Sequence, residues 1–559
     1  MDRSVASDGQ ANRLSPIQLV LLFLIALFAF APGIASLPPT DRDESRFIQA
    51  SRQMVESGDY VDIRFQEASR YKKPIGIYWL HSAAVSLTGH DGTAPVWVYR
   101  VISVLGASIA VIGTAWCGAR LFGQTAGFAA GLGMAAILML GFEGRIAKTD
   151  ATLLATVVTA QTSLGLIWLQ SQKKHATSLG LALVFWIAQG IGILIKGPIT
   201  PLISLLTIAM LGLIFRQITW LKRLRPLIGV LIAAAIVLPW LILISIKSGG
   251  AFWQEAVGKD LVGKIGSGQE SHGAPPGYYV LIFSLFIWPF PRLAVRGGLR
   301  VLEAFRSDPR LGFLFAWYVP WAVMIELIPT KLPQYALPAY PALILAMAWA
   351  LQSGLASQPF TQRWKIWFDR LTLLGQIIGT LALVVLALIL PFWLEGRVSP
   401  AGLAAAVLVI AAGILASGTV WRDRLLRAYY AAAACAIAAF ALLMGLVLPS
   451  VQTVWPSVTI ARTWQAYRPC ADAGRLIAVG YAEPSLVVLT GTNTLLTDAG
   501  NAANALKADP ACSLVVVDDR DQQAFIDAMG EKIEPVTTMT GINYSKGRKI
   551  SLTLYRVMP

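Results

Sequence analysis

Thirteen stretches of this chain are long and apolar enough to cross a lipid bilayer, which leaves almost no soluble architecture open to it. They fall at about 17–37, 96–117, 124–142, 151–170, 178–195, 198–215, 227–246, 278–291, 311–328, 333–351, 371–394, 400–419 and 429–449. A helix spans the hydrocarbon core in roughly 20 residues, because its backbone groups bond to one another and only side chains meet lipid. The 559 residues are 56% hydrophobic and 14% charged, with a mean hydropathy of +0.61. That composition predicts a polytopic α-helical membrane protein. The weakest of the thirteen is 278–291, which is short and ends in Trp288-Pro289-Phe290-Pro291; tryptophan there suits a membrane boundary. The first run ends Ala31-Pro32-Gly33-Ile34-Ala35-Ser36. It is near spanning length and reads as an uncleaved anchor rather than a cleaved secretory signal. No repeat with a period of roughly 20–50 residues interrupts the pattern, so the membrane part reads as one bundle.

Thirteen crossings put the termini on opposite sides. Basic residues crowd into short connections on one of them: Lys173 and Lys174; Arg216, Lys222, Arg223 and Arg225; Arg292, Arg296, Arg300, Arg306 and Arg310; Arg363, Lys365 and Arg370; Arg422, Arg424 and Arg427. This is the signature of the cytoplasmic face, and it places residues 1–16 there. The net charge of +15 is explained by orientation and anionic lipid. No basic groove interleaved with aromatics points to nucleic acid. The outer, periplasmic face receives the loop at 38–95, the turns near Asp150, Lys196 and Lys331, the loop at 247–277 and everything after about 450. In the first loop, the amphipathic stretch from Phe47 to Val55 is expected to lie flat in the interface and roof a cavity.

From about 455 the chain changes character. Short β-rich runs, Leu476–Val479, Leu486–Leu489, Leu514–Val517 and Leu552–Tyr555, alternate with polar, helix-capable segments. The expected division is a membrane domain, 1–454, and a small outer α/β domain, 455–559. Cys470 and Cys512 are the only cysteines of that second part, while Cys117 and Cys435 lie in apolar spans. In an oxidising compartment the first two could form a disulfide or remain two buried thiols.

With this topology, ionisable and tyrosine side chains collect on one side: Asp43, Glu44, Tyr71, Lys72, Lys73, Glu143, Lys148, Asp150, Lys196, Glu255, Lys259, Asp260, Glu270, His272, Lys331 and Tyr335. Each has a structural alternative. Glu44 could cap a helix, and Asp150 could cap the fourth span. Lys196-Gly197-Pro198 is a natural joint between helices. Lys331 could snorkel to the interface. Together they describe a site that holds an anionic lipid head group on lysines, with a carboxylate available to take a proton from an attacking hydroxyl. No Walker loop, dinucleotide fingerprint or serine-centred elbow occurs in context.

At these residues the sequence resembles the membrane-embedded polyprenyl-phosphate-dependent glycosyltransferases of GT-C type, in the branch of lipid A aminoarabinose transferases and bacterial relatives of protein O-mannosyltransferases. The likeness rests on Asp43-Glu44-Ser45-Arg46-Phe47, on Arg70-Tyr71-Lys72-Lys73-Pro74 leading to Tyr78-Trp79, and on Lys148-Thr149-Asp150. Lys196-Gly197-Pro198, the stretch from Gln269 to Tyr279, and Lys331-Leu332-Pro333-Gln334-Tyr335 with Leu337-Pro338 add to it. It implies a GT-C fold and transfer of one sugar from an undecaprenyl-type phosphate carrier, with inversion at the anomeric carbon. Asp43 and Asp150 are implied as the catalytic carboxylates. Lys73, Lys331, Tyr335, Tyr71 and Lys196 are implied as contacts to the lipid phosphate, with Glu44, Glu270 and His272 supporting or meeting the acceptor.

One departure stands out. Aminoarabinose transferases tend to carry an acid just before the lysine of the Tyr-to-Lys-Pro stretch, where this chain has Lys72. That puts a metal site using such an acid together with His272 in doubt. A divalent cation held by Asp43, Asp150, Glu270 or His272 remains open, and zinc is not assigned.

Lipid A or lipopolysaccharide is the expected acceptor, and an exported protein the alternative. A lipid-linked sugar flippase would instead place its polar residues near the bilayer midplane in two related halves. A bundle serving only to anchor the C-terminal domain would not need so many spans.

Overall fold

The computed structural model of the chain describes residues 13–174, 176–263, 273–419, 424–467, 470, 474–530 and 533–558. It opens with α1 (Pro16–Phe30), whose Ser15 and Gln18 close a reciprocal capping box. Then come α2 (Asp43–Ser57), a small hairpin of β1 (Arg64–Phe65) and β2 (Ala68–Ser69), and α3 (Gly76–Leu87). The bundle continues with α4 (Val96–Phe122), α5 (Gln124–Ala136), α6 (Leu138–Glu143), α7 (Asp150–Gln172), α8 (Leu179–Lys196), α9 (Ile199–Phe215) and α10 (Pro226–Lys247). Beyond a π-helix, Gln254–Val262, follow α11 (Tyr278–Phe286), α12 (Pro291–Ala304), α13 (Pro309–Leu327), α14 (Tyr340–Gln352), α15 (Arg363–Glu395), α16 (Pro400–Ala416) and α17 (Leu425–Leu442).

Among the described residues, eight helical stretches are long and apolar enough to cross a membrane: α4, α7, α8, α10, α13, Pro333–Gln352, α15 and Leu425–Ser450. α1, α9 and α16 are apolar but shorter. Two expected spans are not single helices. The run at 124–142 breaks at Ile137, which is extended between α5 and α6. The run at 278–291 is α11, which turns by 119° into α12, because Pro289 and Pro291 both lack the backbone donor a continuing helix needs. At 9 residues, α11 rises only about 14 Å, roughly half the hydrocarbon thickness. α12 carries part of the basic cluster, and its Arg292 and Arg296 pair with Asp369 of α15 at 2.8 and 3.2 Å.

The stretch at 47–55 is helical but does not lie open on the bilayer. Phe47, Ala50 and Met54 pack with Tyr71, Ile75, Ile77 and Tyr78, while Ile48 packs with Val85, Val98 and Val488. Arg52 donates to the Val488 carbonyl at 2.9 Å and Gln49 to the Thr492 hydroxyl at 2.7 Å. The amphipathic pattern is satisfied by protein on both sides.

The C-terminal part comprises α18 (Pro456–Tyr467), β3 (Arg475–Val479), α19 (Pro484–Thr490), β4 (Leu495–Thr497), α20 (Ala499–Ala508), β5 (Ser513–Asp518), α21 (Gln522–Met529), β6 (Ile533–Asn543) and β7 (Arg548–Val557). The strands form one sheet in the order β4-β3-β5-β7-β6, parallel across β4, β3 and β5 and antiparallel beyond. Leu476, Ala478, Leu514 and Val516 face one apolar layer with Trp464 and Leu486. Ile477, Val479, Val515 and Val517 face the other, with Leu506 and Phe525. Burial on both faces is why β3 and β5 read as continuous apolar runs. The run at 486–489, expected as a strand, is helical in α19: Pro484 stands in its first turn, and the parallel pairing of β3 and β4 needs a crossover there. Cys470 and Cys512 are joined in a disulfide.

Candidate active site

Glu44 and Arg100 tie together the segments that surround the site. Both side chains are fully buried. Arg100 donates to both Glu44 oxygens at 2.7 and 2.9 Å, and to the carbonyls of Ile34 and Pro38 at 2.9 Å each. Glu44 also accepts from the Thr40 amide at 2.7 Å, the Thr40 hydroxyl at 2.9 Å and the Ala147 amide at 2.8 Å. Burial alone would raise the Glu44 pKa, but Arg100 and these donors hold the carboxylate below its usual range. The exit of α1, the start of α2, α4 and the approach to α7 therefore meet at one ion pair. Nearby, a Cβ on Gly106 of α4 would come within 2.8 Å of the Thr152 backbone, so glycine permits the close contact that sets the start of α7.

Beside this knot opens a cavity of about 540 Å³, lined by Asp43, Arg46, Arg70, Lys72, Lys73, Lys148, Asp150, Lys196, Asp260 and Tyr335, with Trp455 and Tyr544 from the C-terminal part. Asp43 is the first residue of α2; protein surrounds it, and its side chain opens onto the cavity. Arg42 before it has φ 65° and ψ −98°, a conformation costly for a side chain with a Cβ. The turn between β6 and β7 holds it: Arg42 donates to the Ser545 carbonyl at 2.8 Å and the Asp41 amide to the Tyr544 hydroxyl at 2.6 Å. Burial pushes the Asp43 pKa up, but Lys148, Arg70, Lys73 and Arg46 outweigh it and hold the carboxyl below its usual value.

Asp150 opens α7 and is buried. Thr149, not Asp150, occupies the N-cap position. Lys196, in the last turn of α8, pairs with Asp150 and lies 5.6 Å from the Tyr335 ring centroid. Gly197, at φ 69°, lets the chain reverse immediately after it. Lys148 lies 3.9 Å from Asp150 and 3.5 Å from Glu143. Burial disfavours its charge, yet Glu143, Asp150 and Asp43 outweigh that and lift it above the usual lysine range. Lys73 donates to Asp260 at 2.8 Å.

The cavity thus brings together Asp43, Glu44, Asp150, Lys73, Lys196 and Tyr335 of the residues expected from sequence. Tyr71 and Lys331 are not among its lining. Tyr71 donates to Asp62 at 2.7 Å and packs edge-on against Phe252. Lys331 is buried and donates to the Ile325 and Glu326 carbonyls at 2.7 and 2.6 Å. Those are the orphan acceptors of the end of α13, a natural partner for a cation. Glu44 is saturated within the knot. Glu270 and His272 lie outside the described residues. Among the described residues no three His, Cys, Asp or Glu side chains are arranged to hold a metal. Arg70, which donates to Tyr78 at 2.8 Å, and Lys148 were visible in their motifs without a role. Trp455 and Tyr544 carried no signal, because only the fold returns them to the first loop.

Comparison with known proteins bears on the fold and the family resemblance. The family described as dolichyl-phosphate-mannose-protein mannosyltransferase matches residues 72–243. The undecaprenyl phosphate-alpha-4-amino-4-deoxy-L-arabinose arabinosyl transferase of Enterobacter sp. (strain 638) is 24% identical over 349 residues, 62% of this chain and 61% of the relative. A second such transferase, from Proteus mirabilis, is 26% identical over 339 residues, 60% of each chain. The alignments span about three fifths of these relatives' own length. The crystal structure of ArnT from Cupriavidus metallidurans bound to undecaprenyl phosphate superposes with a TM-score of 0.72 at 17% identity, covering 96% of this chain and 98% of that one. The chain has the GT-C fold. The family resemblance read from sequence is borne out, and the fold likeness covers nearly the whole chain.

Proposed function

We propose that the protein is an inner-membrane glycosyltransferase that moves a sugar from an undecaprenyl phosphate carrier to lipid A or lipopolysaccharide at the outer face. The observation that carries this reading is the cavity in which an ionised Asp43 faces Lys148, Arg70 and Lys73 beside the Asp150–Lys196 pair. In the proposed topology thirteen spans place the N-terminus in the cytoplasm. The cavity and a C-terminal domain, 455–559, face the periplasm above a membrane domain, 1–454.

In the step proposed, an acceptor oxygen attacks the anomeric carbon while its bond to the carrier phosphate breaks, and the bonding electron pair leaves with that phosphate. Lys73, Lys148 and Arg70 supply fixed countercharge where negative charge grows. An ionised Asp43 stabilises the positive charge that develops on the sugar ring. A carboxylate held below its usual range is a weak proton acceptor. A lipid A phosphate arrives ionised and needs mainly positioning, whereas a protein hydroxyl would have to lose its proton. The mannosyltransferase family match over 72–243 supports the second reading, protein O-glycosylation.

Purified protein given an undecaprenyl phosphate sugar should release carrier phosphate in a manner dependent on Asp43. Sugar-lipid movement that survives Asp43→Asn would instead mark a flippase. Deletion cells should lose a sugar from lipid A; unchanged lipid A with loss of protein-linked sugar would move the acceptor to protein.

A further inference from the structure

A second cavity, of about 660 Å³, lies on the other side of the Pro38–Asp41 segment. Part of its wall comes from chain at helix ends: residues 35–39 beyond α1, 92–97 entering α4, and Pro449 with Gln452 beyond α17. The rest comes from α2, Trp455, α18 and the end of α19. Pro38 and Pro39 line it, and Trp455 lines both cavities. A narrow void between Pro38, Asp41, Trp455 and Ser485 shares lining residues with each.

Two features give this cavity a chemical preference. Arg52 lines it while only 8% exposed, its guanidinium anchored on the Val488 carbonyl at 2.9 Å beside the Tyr99 hydroxyl, so a fixed positive charge stands in the wall. Arg462 stands exposed in the same lining and makes no ion pair among the described residues. The acid present, Glu56, already accepts from the Thr492 hydroxyl at 2.9 Å. Around these cations stand Trp97, Trp455 and Trp464, side chains with an apolar face and a polar edge that settle where a lipid head group begins. Arginine with aromatic surface at the ends of membrane helices matches a ligand that is amphipathic, phosphorylated and glycan-like.

We propose that this cavity is the acceptor subsite, holding the phosphorylated sugar head group of an outer-leaflet glycolipid while its reacting end reaches Asp43 past Trp455. This rests on the transferase reading above and adds where the acceptor sits and what recognises it.

The test is lipid binding by the full-length protein in nanodiscs, with a bis-phosphorylated lipid A, its dephosphorylated form and undecaprenyl phosphate as separate probes. Arg462→Glu and Trp97→Ala should each weaken retention of phosphorylated lipid A at least tenfold and leave undecaprenyl phosphate within twofold of wild type. The dephosphorylated lipid should bind wild type at least fivefold less well, and inorganic phosphate should not compete. Unchanged lipid A retention in both variants would overturn the proposal, as would equal loss of undecaprenyl phosphate binding. Displacement of the lipid by a Ser/Thr-rich peptide would assign the site to a protein acceptor and also overturn it. Binding is read without turnover, so a wild-type protein that retains lipid A but releases no carrier phosphate counts against the transferase reading alone.

Discussion

Asp43 and Glu44 are consecutive residues in one helical turn, yet they stand in opposite chemical situations. Glu44 is wholly buried and accepts five hydrogen bonds, from Arg100, Thr40 and Ala147. Asp43 is exposed to a cavity where Lys148, Arg70, Lys73 and Arg46 act on it through space. The same division separates two lysines. Lys331 is consumed by the carbonyls that end α13, whereas Lys196 lies in the cavity beside Asp150 and Tyr335. Charge is common to all four, so charge alone does not mark a reactive group. Structural charges have saturated their partners, while candidate chemical ones retain an accessible side toward open volume.

The comparison can be broken most forcefully at Asp43. Asn there should lower turnover by about 10²- to 10³-fold with little change in thermal stability, measured on purified protein. Arg100→Ala should do the reverse. Leaving Glu44 buried without its cation is expected to cost about 3–5 kcal/mol, read as a lowered melting temperature and lower yield, with near-normal turnover per folded molecule. Replacing both members of that pair with neutral residues should cost less than removing Arg100 alone.

The disulfide sharpens the same contrast in a region without catalytic side chains. Cys470 and Cys512 are 42 residues apart, and chain-entropy reasoning gives up to about 4 kcal/mol for closing such a loop. Cys470→Ser with Cys512→Ser should destabilise the C-terminal sheet and leave the donor affinity of the cavity unchanged.

The smallest effect concerns pH. Burial pushes the Asp41 pKa up to about 6, with Glu483 adding to the rise and hydrogen bonds from Ser485 holding it back. The folded state then binds more protons than the unfolded state between about pH 4 and 6, so stability falls as pH rises through that window. Asp43 has the opposite sign: its contribution is present above the ordinary carboxylate pKa and lost as pH falls through its depressed value. Asp41→Asn should flatten the melting temperature between pH 4 and 6 while leaving any loss at lower pH in place.

Much of this was legible in sequence, for reasons that also explain the misses. Helices such as α10 and α15 announce themselves because lipid demands unbroken apolar length; Asp43, Asp150, Lys196 and Tyr335 sit near the ends of spans, and Lys73, within the first outer loop, is reached through the family resemblance. The turn after α11 was signalled by its two prolines but read as a boundary. Leu486–Leu489 looked like a strand, since β-branched and apolar residues suit either a core strand or a buried helix, and only the sheet topology decides. Lys331 and Tyr71 shared the expected face with the true lining residues. Their removal depends on side-chain partners, the α13 carbonyls and Asp62, which spacing along the chain does not reveal. The contribution of Tyr544 comes from some 500 residues away, beyond the reach of any local pattern.

The central claim, that one helical turn divides into a chemical acid and a structural acid, is tested most directly by purifying Asp43→Asn and Glu44→Gln side by side. Carrier-phosphate release per folded molecule and melting temperature would be measured for both. We expect Asp43→Asn to lose release at an unchanged melting temperature, and Glu44→Gln to keep release at a lowered one. The opposite pattern, or loss of release of similar size in both at equal stability, would contradict the division.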